Sequence, residues 1–121
     1  MKGDFVTYEL AIKLKEKGYP QNGFHYYNEK GCIDIPAYNL SDEDMSDTVA
    51  PQIHEVLKWL REEKKIYIMI DRSFAMNQSW HYSICVDDDF DNIVQQASIA
   101  NKSWEQSALD AIEYVIDNLI L

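Results

Sequence analysis

Residues 66–86 read I-Y-I-M-I-D-R-S-F-A-M-N-Q-S-W-H-Y-S-I-C-V, and this stretch decides the fold. Ile66, Ile68 and Ile70 occupy alternate positions in its first third. A second alternation follows a more polar interval and places Trp80, Tyr82, Ile84 and Val86 on one side. Alternation of apolar and other residues with a period of two indicates half-buried strands. The stretch therefore predicts two neighbouring strands, with both alternating sets facing the core.

The residues after this stretch continue the sheet and then change to a helix. N-I-V-Q-Q-A-S-I, residues 92–99, predicts a third strand. Ser103 and Gln106 form the pattern of a capping box, which indicates the start of a helix. We expect this helix to continue to about Leu119, with an apolar face directed at the core.

Two helices are predicted before this stretch. Pro51 fits the first position of a helix whose apolar positions recur from Ile53 to Leu60. Nearer the N-terminus, Thr7 is a suitable N-cap, and Gly18 has the place of a glycine that ends a helix.

A short hairpin is predicted between those helices, from G-F-H-Y-Y-N-E-K-G-C-I-D-I-P, residues 23–36. If N-E-K-G forms the turn, Tyr26 shares one face with Ile33, and Tyr27 shares the other face with Cys32 and Asp34. Residues 37–48, which are acidic and poor in apolar side chains, predict a loop.

The predicted order of elements is α-β-β-α-β-β-β-α. Strands that follow one another in hairpins form mainly antiparallel sheets, and we expect the helices to pack on one face. The fold class is therefore α+β. A chain of 121 residues with 46% apolar residues suits one domain, residues 1–121.

The formal net charge of −10 is distributed unevenly. Residues 78–121 hold eight acidic residues and one lysine, a net charge of −7. Such a surface repels phosphate backbones, so we expect no direct nucleic-acid binding. No apolar run is long enough to span a membrane, and the N-terminus lacks the pattern of a signal peptide. Cytoplasmic localisation is the expectation. The two cysteines, Cys32 and Cys85, are expected to be buried free thiols.

Four aspartates cluster at residues 87–91, D-D-D-F-D. Asp87, Asp89 and Asp91 resemble the start of a calcium loop, but Asn92 replaces the turn glycine and Ser98 replaces the bidentate glutamate. A polar turn between strands is the simpler interpretation.

Other chemistry has weaker support. His25, Cys32, His81 and Cys85 would form a zinc site only if two hairpins were neighbours, and their spacing is not that of a zinc finger. No nucleophile elbow, phosphate-binding loop or dinucleotide fingerprint is present. The residues therefore predict no catalytic, cofactor-binding or metal-ligating side chains, and no cofactor.

Aromatic side chains off the main apolar stripes are the remaining candidates for function. Tyr27, Tyr67 and Trp59 either mark an interface or are covered by other elements, and the sequence leaves both alternatives open. The candidate interaction surface comprises Asp87, Asp88, Asp89, Asp91, Tyr27 and Tyr67.

Several short motifs carry a resemblance to a known group of proteins. They are V-T-Y-E-L-A-I-K-L-K-E-K-G-Y, H-Y-Y, A-P-Q with V-L-K-W-L-R-E, W-H-Y-S-I, and S-W-E-Q-S-A with A-I. Together they resemble a small family of uncharacterised proteins from Bacteroidetes genomes and their phages. The resemblance implies a bacterial or phage setting, with no activity to transfer.

The sequence thus favours a small acidic module for protein–protein interaction, an accessory factor of phage or mobile-element origin with an unknown partner. The acidic charge indicates either a basic partner or a generally acidic proteome. One alternative is a nucleic-acid mimic that inhibits a basic host protein. Another, from a different class, is a small enzyme or metal-dependent protein.

Overall fold

Helices and strands follow one another in the predicted order, with one short strand added. The computed structural model describes residues 5–21, 25–28, 30–34, 48–73, 79–87, 93–96 and 103–120. The elements are α1 (Tyr8–Glu16), β1 (Tyr26–Tyr27), β2 (Ile33–Asp34), β3 (Thr48–Val49), α2 (Ile53–Glu63), β4 (Ile66–Ser73), β5 (Ser79–Val86), β6 (Ile93–Gln96) and α3 (Trp104–Asn118). The chain divides into two compact units, Met1–Gln52 with Leu121, and Ile53–Ile120.

The second unit is built on the antiparallel sheet β4-β5-β6. Ile66 lies opposite Val86, and Ile68 lies opposite Ile84, so the two predicted alternating sets share one face. α2 packs against β4, whereas α3 packs against both β4 and β5 and also contacts α2. The alternation in residues 66–86 therefore forms the hairpin that it predicts.

Burial along this hairpin differs from the expectation at four positions: Ile68 and Ile70 of β4 are half-buried, and so are two residues of β5. Tyr82 and Ile84 are buried as predicted, but Trp80 and Val86 are only half-buried. Trp80 lies near one end of the ladder opposite Arg72, which is exposed and whose guanidinium carbon is 5.7 Å from the Trp80 ring centroid. That end of the sheet therefore reaches solvent. Cys85, on the other face, is fully buried.

The first unit begins with the predicted helix. The Leu10 amide donates to the Thr7 hydroxyl at 3.2 Å, and Gly18 has a φ of +94° just after the helix ends. A Cβ on Gly31, where φ is +77°, would lie 3.3 Å from the Tyr8 ring. The turn glycine thus allows Tyr8 to pack closely over the first hairpin.

The sheet of the first unit has the order β2-β1-β3. The predicted pairing in its hairpin is wrong by one residue, because Tyr27 lies opposite Ile33 rather than grouping with Cys32. The turn is longer than N-E-K-G, since the Asn28 amide donates to the Cys32 carbonyl at 2.9 Å. One added turn residue reverses which side chains share a face.

Tyr27 is covered by other elements, which is one of the two alternatives that the sequence leaves open. Its side chain is only 7% exposed, because β3 pairs with the second edge of β1 and makes β1 the central strand. The Tyr27 hydroxyl donates to the Val6 carbonyl, and its ring lies 5.3 Å from the ring of Tyr8. Thr48, which the sequence assigned to a loop, belongs to β3.

Two further expectations need correction. α2 begins at Ile53, so Pro51 precedes the helix rather than opening it. The Pro51 carbonyl accepts the Val6 amide at 3.1 Å, and Gln52 forms an isolated bridge with Phe5. Cys32 is exposed, whereas Cys85 is the buried thiol.

The fold class is α+β, with antiparallel sheets. Within the described residues the strands form two sheets of three rather than one sheet, because the first hairpin pairs with β3 instead of the later strands. That residues 1–121 form one cooperative domain stays a prediction. None of the described helices is long and apolar enough to cross a membrane.

Candidate interaction surface

β6 is the last strand of its sheet and pairs, within the described residues, only with β5. Ser83 lies opposite Gln96 and Cys85 opposite Ile93. The register shifts between these pairs, which leaves Val94 as the extra residue of a β-bulge. β6 is therefore a short, irregular edge strand, and its outer edge has no strand beside it in the described part of the chain.

Two apolar side chains are exposed on this edge. Ile93 is 42% exposed and Val94 is 38% exposed, and they are the exposed large hydrophobic residues among those described. The sequence pattern predicts both on a strand but indicates no function for them. A usable signal was present, because adjacent residues of a strand point to opposite faces and an I-V pair cannot direct both side chains to one core.

Gln95 of β6 belongs to a polar cluster, which we define as Tyr82, Gln95, Asp110 and Tyr114. The pKa of the buried Tyr82 phenol is raised, chiefly because burial penalises the phenolate. The negative charge of Asp110 and the neighbouring Tyr114 also raise this pKa, while a hydrogen bond with the Gln95 side chain lowers it. The cluster joins β5, β6 and α3.

The helix side of this cluster has its own hydrogen bonds. The Gln106 amide group donates to Asp110 at 2.9 Å, one helical turn away. The Gln106 backbone amide donates to the Ser103 hydroxyl at 3.1 Å, as the capping pattern predicted. Both of these hydrogen bonds are exposed and lie within α3 and its N-cap, whereas the hydrogen bond between Gln95 and Tyr82 links β6 to β5.

Asp87 is the one member of the aspartate cluster that the described residues include, and it is exposed directly after β5. Its φ is +54°, and Lys65 across the ladder has a φ of +56°. The Asp87 amide donates to the Lys65 carbonyl at 2.9 Å, which extends the β4–β5 ladder by one hydrogen bond. Asp tolerates this left-handed conformation better than most residues.

Asp87 lies at the end of the sheet where β6 begins. It follows Cys85 by two residues, and Cys85 lies opposite Ile93, so Asp87 is roughly 7 Å along the strand direction from that pair. Asp88, Asp89 and Asp91 lie outside the described residues. The structure thus brings one predicted acid and two unpredicted apolar side chains to the same end of the sheet.

The two tyrosines of the predicted surface, Tyr27 and Tyr67, lie in different units and differ in exposure. Tyr67 is half-buried and lies opposite the buried Cys85, on the sheet face that also carries Ile93. Tyr27 is buried in the first unit, so it is not part of any exposed surface. Trp59, the third aromatic residue considered, is half-buried, with the Lys64 ammonium 5.3 Å from its ring centroid.

The histidines and cysteines separate between the two units. His25 contacts the Phe5 ring edge-on at 5.0 Å, and Cys32 is exposed in the same unit. His81 is half-buried in the second unit, and its Nε2 atom is buried without a hydrogen-bond partner. Within the described residues, no three His, Cys, Asp or Glu side chains group so as to hold a metal ion.

The edge of β6 together with Asp87 is accordingly the candidate interaction surface of the second unit, and we call it the β6 edge surface. Comparison with known proteins adds no relative to this description: no protein-family model, curated protein or solved structure matches the chain.

Proposed function

We propose that this protein is a binding module that recognises a basic protein partner through the β6 edge surface. The observation that carries the proposal is the exposure of Ile93 and Val94 beside a strongly acidic part of the chain. Interfaces combine an apolar centre with a charged rim, and exposed apolar side chains rimmed by polar residues mark such sites.

The charge distribution indicates the sign of the partner. No lysine or arginine occurs between Arg72 and Lys102, whereas four aspartates do. α3 adds exposed acidic side chains at Glu113 and Asp117. An acidic surface accelerates encounter with a basic partner and repels an acidic one.

The biological setting of the proposal comes from the resemblance of the sequence motifs. An accessory factor of phage or mobile-element origin acts on proteins of its bacterial host. The partner is therefore sought among basic proteins of a Bacteroidetes cell, in a lysate prepared at low salt.

Affinity capture with a matched variant tests the proposal. Asn replaces Asp87, Asp88, Asp89 and Asp91 in the variant, because Asn removes the charge and still accepts the left-handed conformation at position 87. The native chain should retain a basic protein at about 50 mM salt and lose it at about 500 mM, since exposed charges are screened over about 8 Å at physiological ionic strength.

The expected behaviour of the variant is equally specific. Association of the identified partner should be about tenfold slower than with the native chain, while the circular dichroism spectra of the two proteins agree. A partner that binds both proteins equally, or that stays bound at high salt, contradicts the proposal. Release of the partner by duplex DNA would instead favour the nucleic-acid mimic.

A further inference from the structure

We propose that the outer edge of β6 accepts an extended basic segment of the partner as an additional β-strand. This inference rests on the proposed function, because it specifies how the same surface binds. It concerns backbone hydrogen bonding, which charge attraction alone does not require.

The geometry of β6 supports strand addition. A strand at the edge of a sheet presents unpaired amide and carbonyl groups that recruit another chain. In the described residues β6 pairs with β5 on one side alone. Four residues span about 13 Å, which suits a short peptide segment rather than a large sheet.

The side chains of β6 leave this edge open. Proteins guard exposed edges with lysines, prolines or inward-pointing charges. I-V-Q-Q, residues 93–96, contains none of these, and both of its apolar side chains are exposed. The bulge at Val94 and the short length are the protective features that remain.

Charge complementarity identifies the occupant. Asp87 is exposed at the end of β5, and the five residues between it and β6 include Asp88, Asp89 and Asp91. Lysine or arginine side chains on an added strand would be attracted to the exposed Asp87 carboxylate, and the sequence has no lysine or arginine between Arg72 and Lys102 to oppose them. A second copy of this chain fits poorly, because each copy carries a net charge of −10.

The direct test uses a ten-residue peptide of alternating lysine and valine and a derivative that is N-methylated at alternate residues along one edge. N-methylation removes backbone donors but keeps side chains and charge. We expect about tenfold weaker binding of the derivative, since each net hydrogen bond changes an affinity by a factor of roughly two to ten. Calorimetric titration measures both affinities, and hydrogen exchange of the complex should show slowed exchange at residues 93–96.

A variant of the protein provides an independent test of strand addition. Val94→Lys installs the charge that guards natural edges and should weaken binding of the lysine–valine peptide about tenfold. Val94→Thr is the matched control, because threonine keeps the β-branched shape without charge. Val94 is exposed, so we expect both variants to fold, which circular dichroism verifies.

The outcomes separate this inference from the proposed function. Equal binding of the parent and N-methylated peptides, or slowed exchange confined to other residues, overturns strand addition. So does absence of binding by the parent peptide. A salt-sensitive partner captured from the lysate would still uphold the proposed function in each of these cases. A dimer of this chain paired through β6, detected by sedimentation, would also overturn the inference.

Discussion

β5 and β6 are neighbouring strands with similar apolar residues and different surroundings. Ile84 of β5 is completely buried, whereas Ile93 of β6 is 42% exposed. β5 lies between two strands and under α3, but β6 has one strand beside it in the described residues. The same residue type therefore contributes to stability in one strand and is accessible for binding in the next.

This difference separates two kinds of free energy. Burial of an isoleucine in β5 contributes to folding whether or not a partner is present. Exposed side chains in β6 contribute little until another surface covers them. Substitutions in β5 should therefore change the free energy of unfolding, and substitutions in β6 should change affinity.

Ile84→Ala should have the largest effect on stability. Removing a fully buried isoleucine side chain leaves a cavity and costs about 2–5 kcal/mol. Chemical denaturation followed by tryptophan fluorescence measures the loss, since Trp59, Trp80 and Trp104 all lie in the second unit. A cost below about 1 kcal/mol would contradict the burial of β5.

The same variant tests the predicted single domain. If residues 1–121 unfold cooperatively, amide exchange at Leu10 and Leu14 of α1 should become faster. The free energy of opening from exchange should fall by as much as the free energy of unfolding measured by fluorescence. Unchanged exchange in α1 would show that the two units unfold independently.

The hairpin of β4 and β5 shows what sequence can predict. Ile66, Ile68 and Ile70 fix the period, and the opposite strand repeats it, so local pattern and pairing agree. The caps at Thr7 and Ser103 were equally predictable, because each depends on a hydroxyl and an amide three residues apart.

Burial that depends on distant elements was not predictable. Tyr27 is buried because β3 pairs with β1, and β3 has only two residues in an acidic segment without strand character. One extra turn residue after Asn28 shifted the hairpin register. Trp80 fits the alternation, yet its place beside exposed Arg72 leaves it half-buried.

The candidate surface could be predicted only in part, because its charge follows from composition whereas its exposure depends on how the strands pair. The acidic charge near Asp87 is a property of composition and could be read directly. The adjacent pair Ile93 and Val94 indicates that one of the two side chains is exposed, but the bulge between β5 and β6 at Val94 is signalled by no residue type in I-V-Q-Q.

Asp87→Val tests the point where β5 ends. Valine is branched at Cβ and disfavours the φ of +54° at this position, so the substitution should cost about 1–2 kcal/mol. Asp87→Asn removes the same charge and should change stability by less than about 0.5 kcal/mol. Denaturation of the pair distinguishes backbone conformation from charge; equal losses would mean that charge, not conformation, matters at this turn.

Tyr82→Phe tests the connection between β5 and β6. Loss of its hydrogen bond with Gln95 should cost about 1 kcal/mol near neutral pH. The variant should also behave differently in alkali. The folded pKa of Tyr82 is raised above the ordinary value of 10.0, so its protonation contributes stability that is complete below pH 10.0 and is lost as the pH rises through the folded pKa.

Thermal unfolding across the alkaline range measures this effect. Tyr82→Phe should flatten the decline of the midpoint temperature above pH 10.0. Tyr27→Phe is the control. The pKa of Tyr27 is also raised, chiefly by burial and then by the charge of Glu9, so Tyr27 contributes to the alkaline loss of stability as well. The control variant measures that contribution separately. An unchanged alkaline profile in the Tyr82 variant would contradict the effect of burial on this phenol.

Substitutions at Ile93 and Val94 should have the smallest effect on stability and a clear effect on binding. Ile93→Thr and Val94→Thr keep a β-branched side chain on an exposed strand, so each should change the free energy of unfolding by less than about 0.5 kcal/mol. Ile93→Thr should nevertheless weaken binding of the lysine–valine peptide, because it replaces apolar contact area with a hydroxyl. Denaturation and calorimetric titration on the same samples give both quantities. If Ile93→Thr destabilised the protein as much as Ile84→Ala, the edge strand would belong to the core, and the contrast between β5 and β6 would fail.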